Sequence, residues 1–177
     1  AFIMKKILVV AAHPDDEVLG CGGTIARHVG EGDEVHIVFM ADGVTSRGKH
    51  DNEDLSVRNK AAYESCKLLG TQEPQFLGFP DNKMDTIALL YVVQKLEKVM
   101  MEIRPSVVYT HHDEDLNVDH RITNQAVLTA CRPQPGYYVN EIYSFEILSS
   151  TNWASCSIKN TFSPSRFVDI SKVIELK

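Results

Sequence analysis

Residues Lys5–Ala12, KKILVVAA, are apolar at six successive positions from Ile7 onward. A strand with one wet face alternates apolar and polar residues; one that is apolar throughout has to be covered on both faces. Such a strand belongs in the interior of a parallel sheet, between two layers of helices. The rest of the chain supplies those layers. A helix is expected over Glu17–Val29, closed by Gly30 and capped by Asp15 or Asp16, followed by a strand over Glu34–Met40. After a Gly-rich polar loop, 41–52, come a helix over Glu53–Leu69, ended by Gly70, a short strand over Gln75–Gly78 and the turn-rich loop 79–85. Apolar residues at 87, 89, 90, 93, 96, 100 and 103 form a helical stripe over Thr86–Ile103, stopped at Arg104–Pro105. A strand over Ser106–Thr110, a helix over Arg121–Ala130 and a strand over Glu141–Leu148 complete the pattern, with a further strand expected near Arg166–Ile170.

Strands alternating with helices imply parallel pairing through right-handed crossovers. The expected fold is therefore α/β: a Rossmann-like, doubly wound, mostly parallel sheet of order 3-2-1-4-5 with helices on both faces. At 177 residues the chain is one domain. Its ending, VDISKVIELK, reads as a helix just opening, so residues 1–177 are expected to lack a C-terminal helical portion. A pocket-closing segment or a homo-oligomer interface further along stays open. The net charge of −6 argues against nucleic acid or an anionic membrane as main partner. The run Ile7–Ala12 is far too short to span a bilayer. Cys21, Cys66, Cys131 and Cys156 form no C-x-x-C pair and read as reduced thiols of a cytoplasmic protein.

In the expected order, the first and fourth strands are neighbours at the topological switch point, where ligands bind beyond the carboxyl ends. The two segments that follow them are AAHPDDEVLGCGGT (11–24) and THHDEDLNVDHR (110–121). Both are rich in histidine and carboxylate. Crowded like charges are costly unless a cation compensates. His13 and Asp16 offer two ligands from one turn, and His111, His112 and His120 offer more from the other segment. Such nitrogen and oxygen donors suit Zn²⁺, with Fe²⁺ or another divalent ion as alternatives. Zn²⁺ lowers the pKa of bound water from ~15.7 to about 7, which with a neighbouring carboxylate as base suits amide or ester hydrolysis. The plainer readings are a capped helix start for the first segment and solvated loop histidines for the second.

AHPDDEVLGCGGTIA together with DLNVDHR resembles the PIG-L/LmbE family of zinc-dependent N-acetylglucosamine deacetylases, and VRNKAAYESCKLLG, LGFPDNKMDT and CRPQPG…EIYSFEILSS extend the likeness along nearly the whole chain. They are similar to a bacterial branch associated with surface-polysaccharide sugars. The resemblance implies His13, Asp16 and His120 as metal ligands and Asp15 as the general base. It implies an N-acetylated amino-sugar conjugate as the small-molecule substrate. Many members carry histidine where this chain has Asn117. Asn117 can donate to an oxyanion but cannot act as an acid, so either Asp15 or His112 returns the proton to the leaving amine. Asp119 is expected either to orient an imidazole or Asn117, or to cap the helix after it. Arg58 matches a family arginine used on substrate; Asp42, Asp81 and Asn82 follow strand ends and are expected near the sugar. Tyr143, Glu146 and Trp153 are further pocket candidates, whereas Cys21 suits small-residue packing. Two alternatives stand beside the deacetylase: a non-enzymatic sugar-nucleotide-binding module, and a metal-dependent amidase or esterase of another small acylated metabolite.

Overall fold

The computed structural model describes residues 3–46, 52–154 and 161–177. Five parallel strands, β1 (Lys6–Ala11), β2 (Glu34–Ala41), β3 (Gln75–Phe79), β4 (Val107–His111) and β5 (Glu141–Phe145), form one sheet. Its order is β3-β2-β1-β4-β5, as the alternation predicts. The helices are α1 (Asp16–Gly30), α2 (Asn52–Leu69), α3 (Leu89–Ile103) and α4 (Val118–Ala130).

The apolar run of β1 behaves as its composition requires. Leu8 and Val10 point to one face, packing with Val38 and Met40 against α3 and α4. Ile7, Val9 and Ala11 point to the other, packing with Ile37 and Phe39 against α1 and α2. Each fully buried Val, Leu or Ile here contributes about 1.5–3 kcal/mol of transfer free energy. The two-residue period of the strand thus divides the core into two layers.

Three expectations need correction. The stripe predicted as one helix from Thr86 is broken: Met84–Thr86 is a 3₁₀ turn, Ile87 and Ala88 are extended, and α3 begins at Leu89. Its apolar stripe still buries Val92, Val93, Leu96, Val99, Met100 and Ile103, and Arg104 ends it in a left-handed conformation before Pro105. No strand forms over Arg166–Ile170, and residues 171–176 make turns, not a helix. That segment lies on α1 instead: the Asp169 carbonyl accepts from Arg27, and Ile170 rests against Gly23. Cys21, Cys66 and Cys131 are buried free thiols; Cys156 lies outside the described residues.

The sheet register sets up the site. Ile7, Leu8 and Val9 of β1 pair with Val107, Val108 and Tyr109 of β4. Both strands end at the same level, so the segments after Ala11 and His111 leave the sheet side by side.

Candidate metal centre

Asp16 is the focus. Its Oδ2 lies 3.2 Å from His13 Nδ1 and 3.2 Å from His120 Nε2. It also accepts the His13 backbone N–H at 2.9 Å, closing the turn. His13, Asp16 and His120 are all buried, and one ligand atom from each lies within 4.8 Å of the others. The two imidazoles come from chain segments about a hundred residues apart and meet because β1 and β4 are paired.

The outer nitrogen of each imidazole is also held. His13 Nε2 lies 3.0 Å from Asp119 Oδ2 and 3.1 Å from Asp81 Oδ1. His120 Nδ1 lies 3.2 Å from Asp115 Oδ2. These carboxylates are fixed in turn. Asp119 accepts the backbone N–H groups of Asn82 and Met84, Asp115 accepts from Thr151 and Ser150, and Asp81 accepts from Ser46. Carboxylates on the outer nitrogens set imidazole orientation and raise basicity, the arrangement found around metal-binding histidines.

Burial works against a charged His13, but the Asp119, Asp16 and Asp81 carboxylates outweigh it and push its pKa up to about 11. Burial likewise opposes ionisation of Asp16, yet hydrogen bonds with His120 and His13 hold its carboxyl well below the usual range. His120 is raised by Asp115 and Asp16 against burial. In the protein without a cation, protons on the imidazoles hold the acids together. A divalent cation between the inner nitrogens and Asp16 would do the same work with more charge. The donors fit Zn²⁺: two imidazole nitrogens and one carboxylate, leaving a position open.

Asp15 stands beside this group in strained backbone, at φ 133° and ψ −29°. For a residue with a Cβ this conformation costs on the order of 1–3 kcal/mol and persists only where neighbours enforce it. Asp15 occupies the N-cap position of α1 without a capping hydrogen bond from its side chain. Its carboxylate instead accepts from Arg58 Nη2 at 2.8 Å, and the same nitrogen donates to the Pro14 carbonyl at 2.9 Å. Burial and the Asp16 charge raise its pKa, with Arg58 pulling the other way. A cavity of about 240 Å³ opens over the cluster. His13, Asp15, Asp16 and His120 share its lining with Arg58, Asp81, Asn82, Asn117 and Ser150.

The other predicted residues divide. Asn117, not Asp119, caps α4: its Oδ1 accepts the Asp119 N–H at 2.8 Å, which leaves the amide NH₂ as its donor. Asp119 is wholly buried against His13. Asp42 is taken up by its own turn, accepting from the N–H groups of Val44 and Thr45 and the Thr45 hydroxyl, and it does not line the cavity. His112 is directed elsewhere. It lies edge-on to Phe162 and lines a separate cavity of about 610 Å³ with Tyr143, Phe145 and Glu146. That placement gives no support to His112 as the acid for the leaving amine. Trp153 is three-quarters exposed and lines neither cavity.

Asp115 and Glu17 went unassigned in the sequence, and His111, offered there as a possible ligand, instead backs the cluster. Asp115 was signalled only by its place in DEDLNVDH. His111 is fully buried, accepts the Ala12 N–H on Nε2 at 2.8 Å and stacks on His120 at 3.9 Å; burial lowers its pKa to about 3, so it is a neutral wall behind the cluster. Glu17, directly after the two aspartates, is 1% exposed. Burial and the adjacent acids raise its pKa to about 7.

A parallel sheet carrying a histidine–carboxylate group at its switch point defines a class of α/β proteins with a site outside the carboxyl ends of the strands. The chain belongs to the PIG-L family, the GlcNAc-PI de-N-acetylases, whose model matches residues 8–131. It is 32% identical over 136 residues to the uncharacterized deacetylase YaiS of Escherichia coli, covering 74% of this chain and 70% of that protein. A probable N-acetyl-α-D-glucosaminyl L-malate deacetylase 2 of Bacillus cereus is 26% identical over 140 residues, covering 74% of this chain. The chain spans only 63% of that relative's length. Among solved structures, the N,N′-diacetylchitobiose deacetylase of Pyrococcus horikoshii superposes with a TM-score of 0.73 at 27% identity, covering 97% of this chain and 66% of that one.

Proposed function

We propose that the chain forms the catalytic core of a metal-dependent N-deacetylase, acting on an N-acetylated amino-sugar conjugate of the N-acetylglucosamine type. One observation carries this reading: His13 Nδ1 and His120 Nε2 converge on a single Asp16 oxygen, with Asp15 in the same cavity. The family and the relatives named as deacetylases favour an acetamide as the bond attacked.

His13, Asp16 and His120 would hold Zn²⁺ or a similar ion such as Fe²⁺, which supplies a Lewis acid for the carbonyl and acidifies a water. The remaining steps fall to side chains. Asp15 takes the proton of the attacking water and delivers it to the amine nitrogen as the carbon–nitrogen bond breaks, giving acetate and the free amino sugar. Its contact with Arg58 aims the carboxylate. The Asn117 amide NH₂ donates to the developing oxyanion. Arg58, Asn82 and Ser150 line the space for sugar hydroxyls, while Asp119, Asp81 and Asp115 keep both imidazoles in register.

The test is release of acetate from a panel of N-acetylated sugars and simple acyl amides, with and without a chelator. Turnover of N-acetylglucosamine conjugates that the chelator abolishes and Zn²⁺ restores is expected. Activity confined to non-sugar amides would replace the substrate class, and chelator-resistant turnover would remove the metal. Asp15→Ala should bind the metal as wild type does and lose roughly 10²–10⁴-fold in kcat, the usual weight of a general base.

A further inference from the structure

The proposed base sits in a conformation that its own residue type disfavours, and the chain has to enforce it. The neighbouring backbone contacts, from Asp16 N–H to the His13 carbonyl and from Leu19 N–H to the Asp15 carbonyl, fix what flanks Asp15. They leave the Asp15 N–H itself, which belongs to the Pro14–Asp15 peptide. That N–H donates to Glu17 Oε2 at 3.0 Å.

Glu17 is almost completely buried; its own backbone N–H also lies against the carboxyl, and its second oxygen has a long contact, 3.4 Å, from the Ser65 hydroxyl. It is not among the lining of the cavity over the metal ligands. It faces instead a hollow of about 300 Å³ behind the turn, with Pro14, Val18, Ala61, Ala62 and Ser65. A buried carboxyl is expensive, so the hydrogen bond it makes to the strained peptide is the feature that accounts for it. Arg58 grips the same peptide from the opposite end, through the Pro14 carbonyl. One plane is thus held at its oxygen by a guanidinium and at its nitrogen by a carboxyl.

We infer that Glu17 is a positioning residue: its Oε2 clamps the Pro14–Asp15 peptide so that Asp15 keeps its strained backbone and its aim at the metal cavity. This rests on the reading of Asp15 as the base. Because the geometry uses an acceptor and not a charge, glutamine can serve, whereas methionine, of similar length, cannot.

The experiment compares Glu17→Met and Glu17→Gln in the full chain. Bound Zn²⁺, thermal melting, kcat and KM for an N-acetylglucosamine conjugate, and the crystal structure of each variant are measured. Glu17→Met is expected to bind Zn²⁺ and keep KM while kcat falls roughly 100-fold, the loss typical of a group misplaced by about 1 Å. Its Asp15 should relax to negative φ, and Glu17→Gln should return kcat to the same decade as wild type with Asp15 still strained. A merely structural role would lower melting without separating kcat from KM, and that result overturns the inference. Equal loss of kcat in both variants also overturns it, since the charge would then matter. If Glu17→Met does not fold, Glu17→Gln decides: retained turnover with strained Asp15 supports the clamp, and lost turnover refutes it. If wild type deacetylates nothing, the functional reading fails. The clamp is then judged on Asp15 φ in Glu17→Met, where relaxation supports it and an unchanged φ refutes it.

Discussion

A histidine stands among carboxylates at each end of helix α1, His13 in the turn before it and His28 in its last turn, and the two ends are built differently. At the C-terminal end, His28 Nδ1 meets Asp33 at 2.7 Å, and Nε2 meets the Tyr109 hydroxyl at 3.0 Å. Glu31 is paired with Arg27, and Asp33 also accepts the Lys5 N–H. Each acid there has its own local donor. At the N-terminal end, His13 faces Asp16, Asp81 and Asp119 together, and the acids hold it in its charged form. Among the described residues lining the cavity, Arg58 is the guanidinium, and it contacts Asp15 and Pro14. Histidine–carboxylate proximity alone therefore does not mark a cation site. What sets the N-terminal group apart is that two imidazoles converge on one Asp16 oxygen, each braced by a carboxylate on its outer nitrogen.

That contrast can be broken most directly at His120. His120→Ala should abolish stoichiometric Zn²⁺ binding, measured by metal analysis after dialysis, while a melting transition persists; retained stoichiometric metal would place the ion elsewhere. Asp119→Asn should weaken Zn²⁺ affinity by roughly 10–100-fold in a chelator competition, the usual cost of removing a carboxylate behind a ligand histidine.

Protonation gives a third handle. Metal must displace the proton that the acids keep on His13, so Zn²⁺ affinity should rise with pH across the neutral range. The metal-free protein should show the reverse trend in stability. His13 has a folded pKa of about 11 against 6.5 unfolded, so its contribution is complete below about 6.5 and is lost as pH rises toward 11. Glu17, raised to about 7 from 4.5, adds a loss of the same sign between those values. A melting temperature that climbs from pH 5 to 9 in the presence of chelator would contradict both assignments. The smallest effect is expected at the other end of the helix. His28→Leu should leave metal content and turnover unchanged, with a shift in melting of only a few degrees.

Much of this was legible in the sequence, for physical reasons. The strand order followed from the alternation of strands and helices around the apolar run of β1, and the pairing of β1 with β4 brought His13 and His120 to one place. What escaped was set by details that periodicity does not encode. Nothing in an apolar stripe reveals that Ile87 and Ala88 are extended, so the stripe extends α3 too far at its start. The segment around Arg166–Ile170 has strand-like composition, but it packs on α1 and pairs with nothing in the sheet. His111 and His112 are consecutive residues of one strand end and its exit. Alternation sends the first into the core beside His120 and the second toward Phe162. Asp115 and Glu17 act through hydrogen bonds to groups that only folding brings within reach.

The parallel pairing of β1 with β4 also limits how this centre can change. Sliding one strand by a single residue would turn its side chains to the opposite layer, and sliding by two would shift its exit about 6.6 Å. The smaller step scrambles the interior, and the larger exceeds the 4.8 Å within which the three donor atoms now sit. The spacing between the two halves of this site is thus quantised by the ladder, and variation among descendants of this chain is channelled into the loops above it.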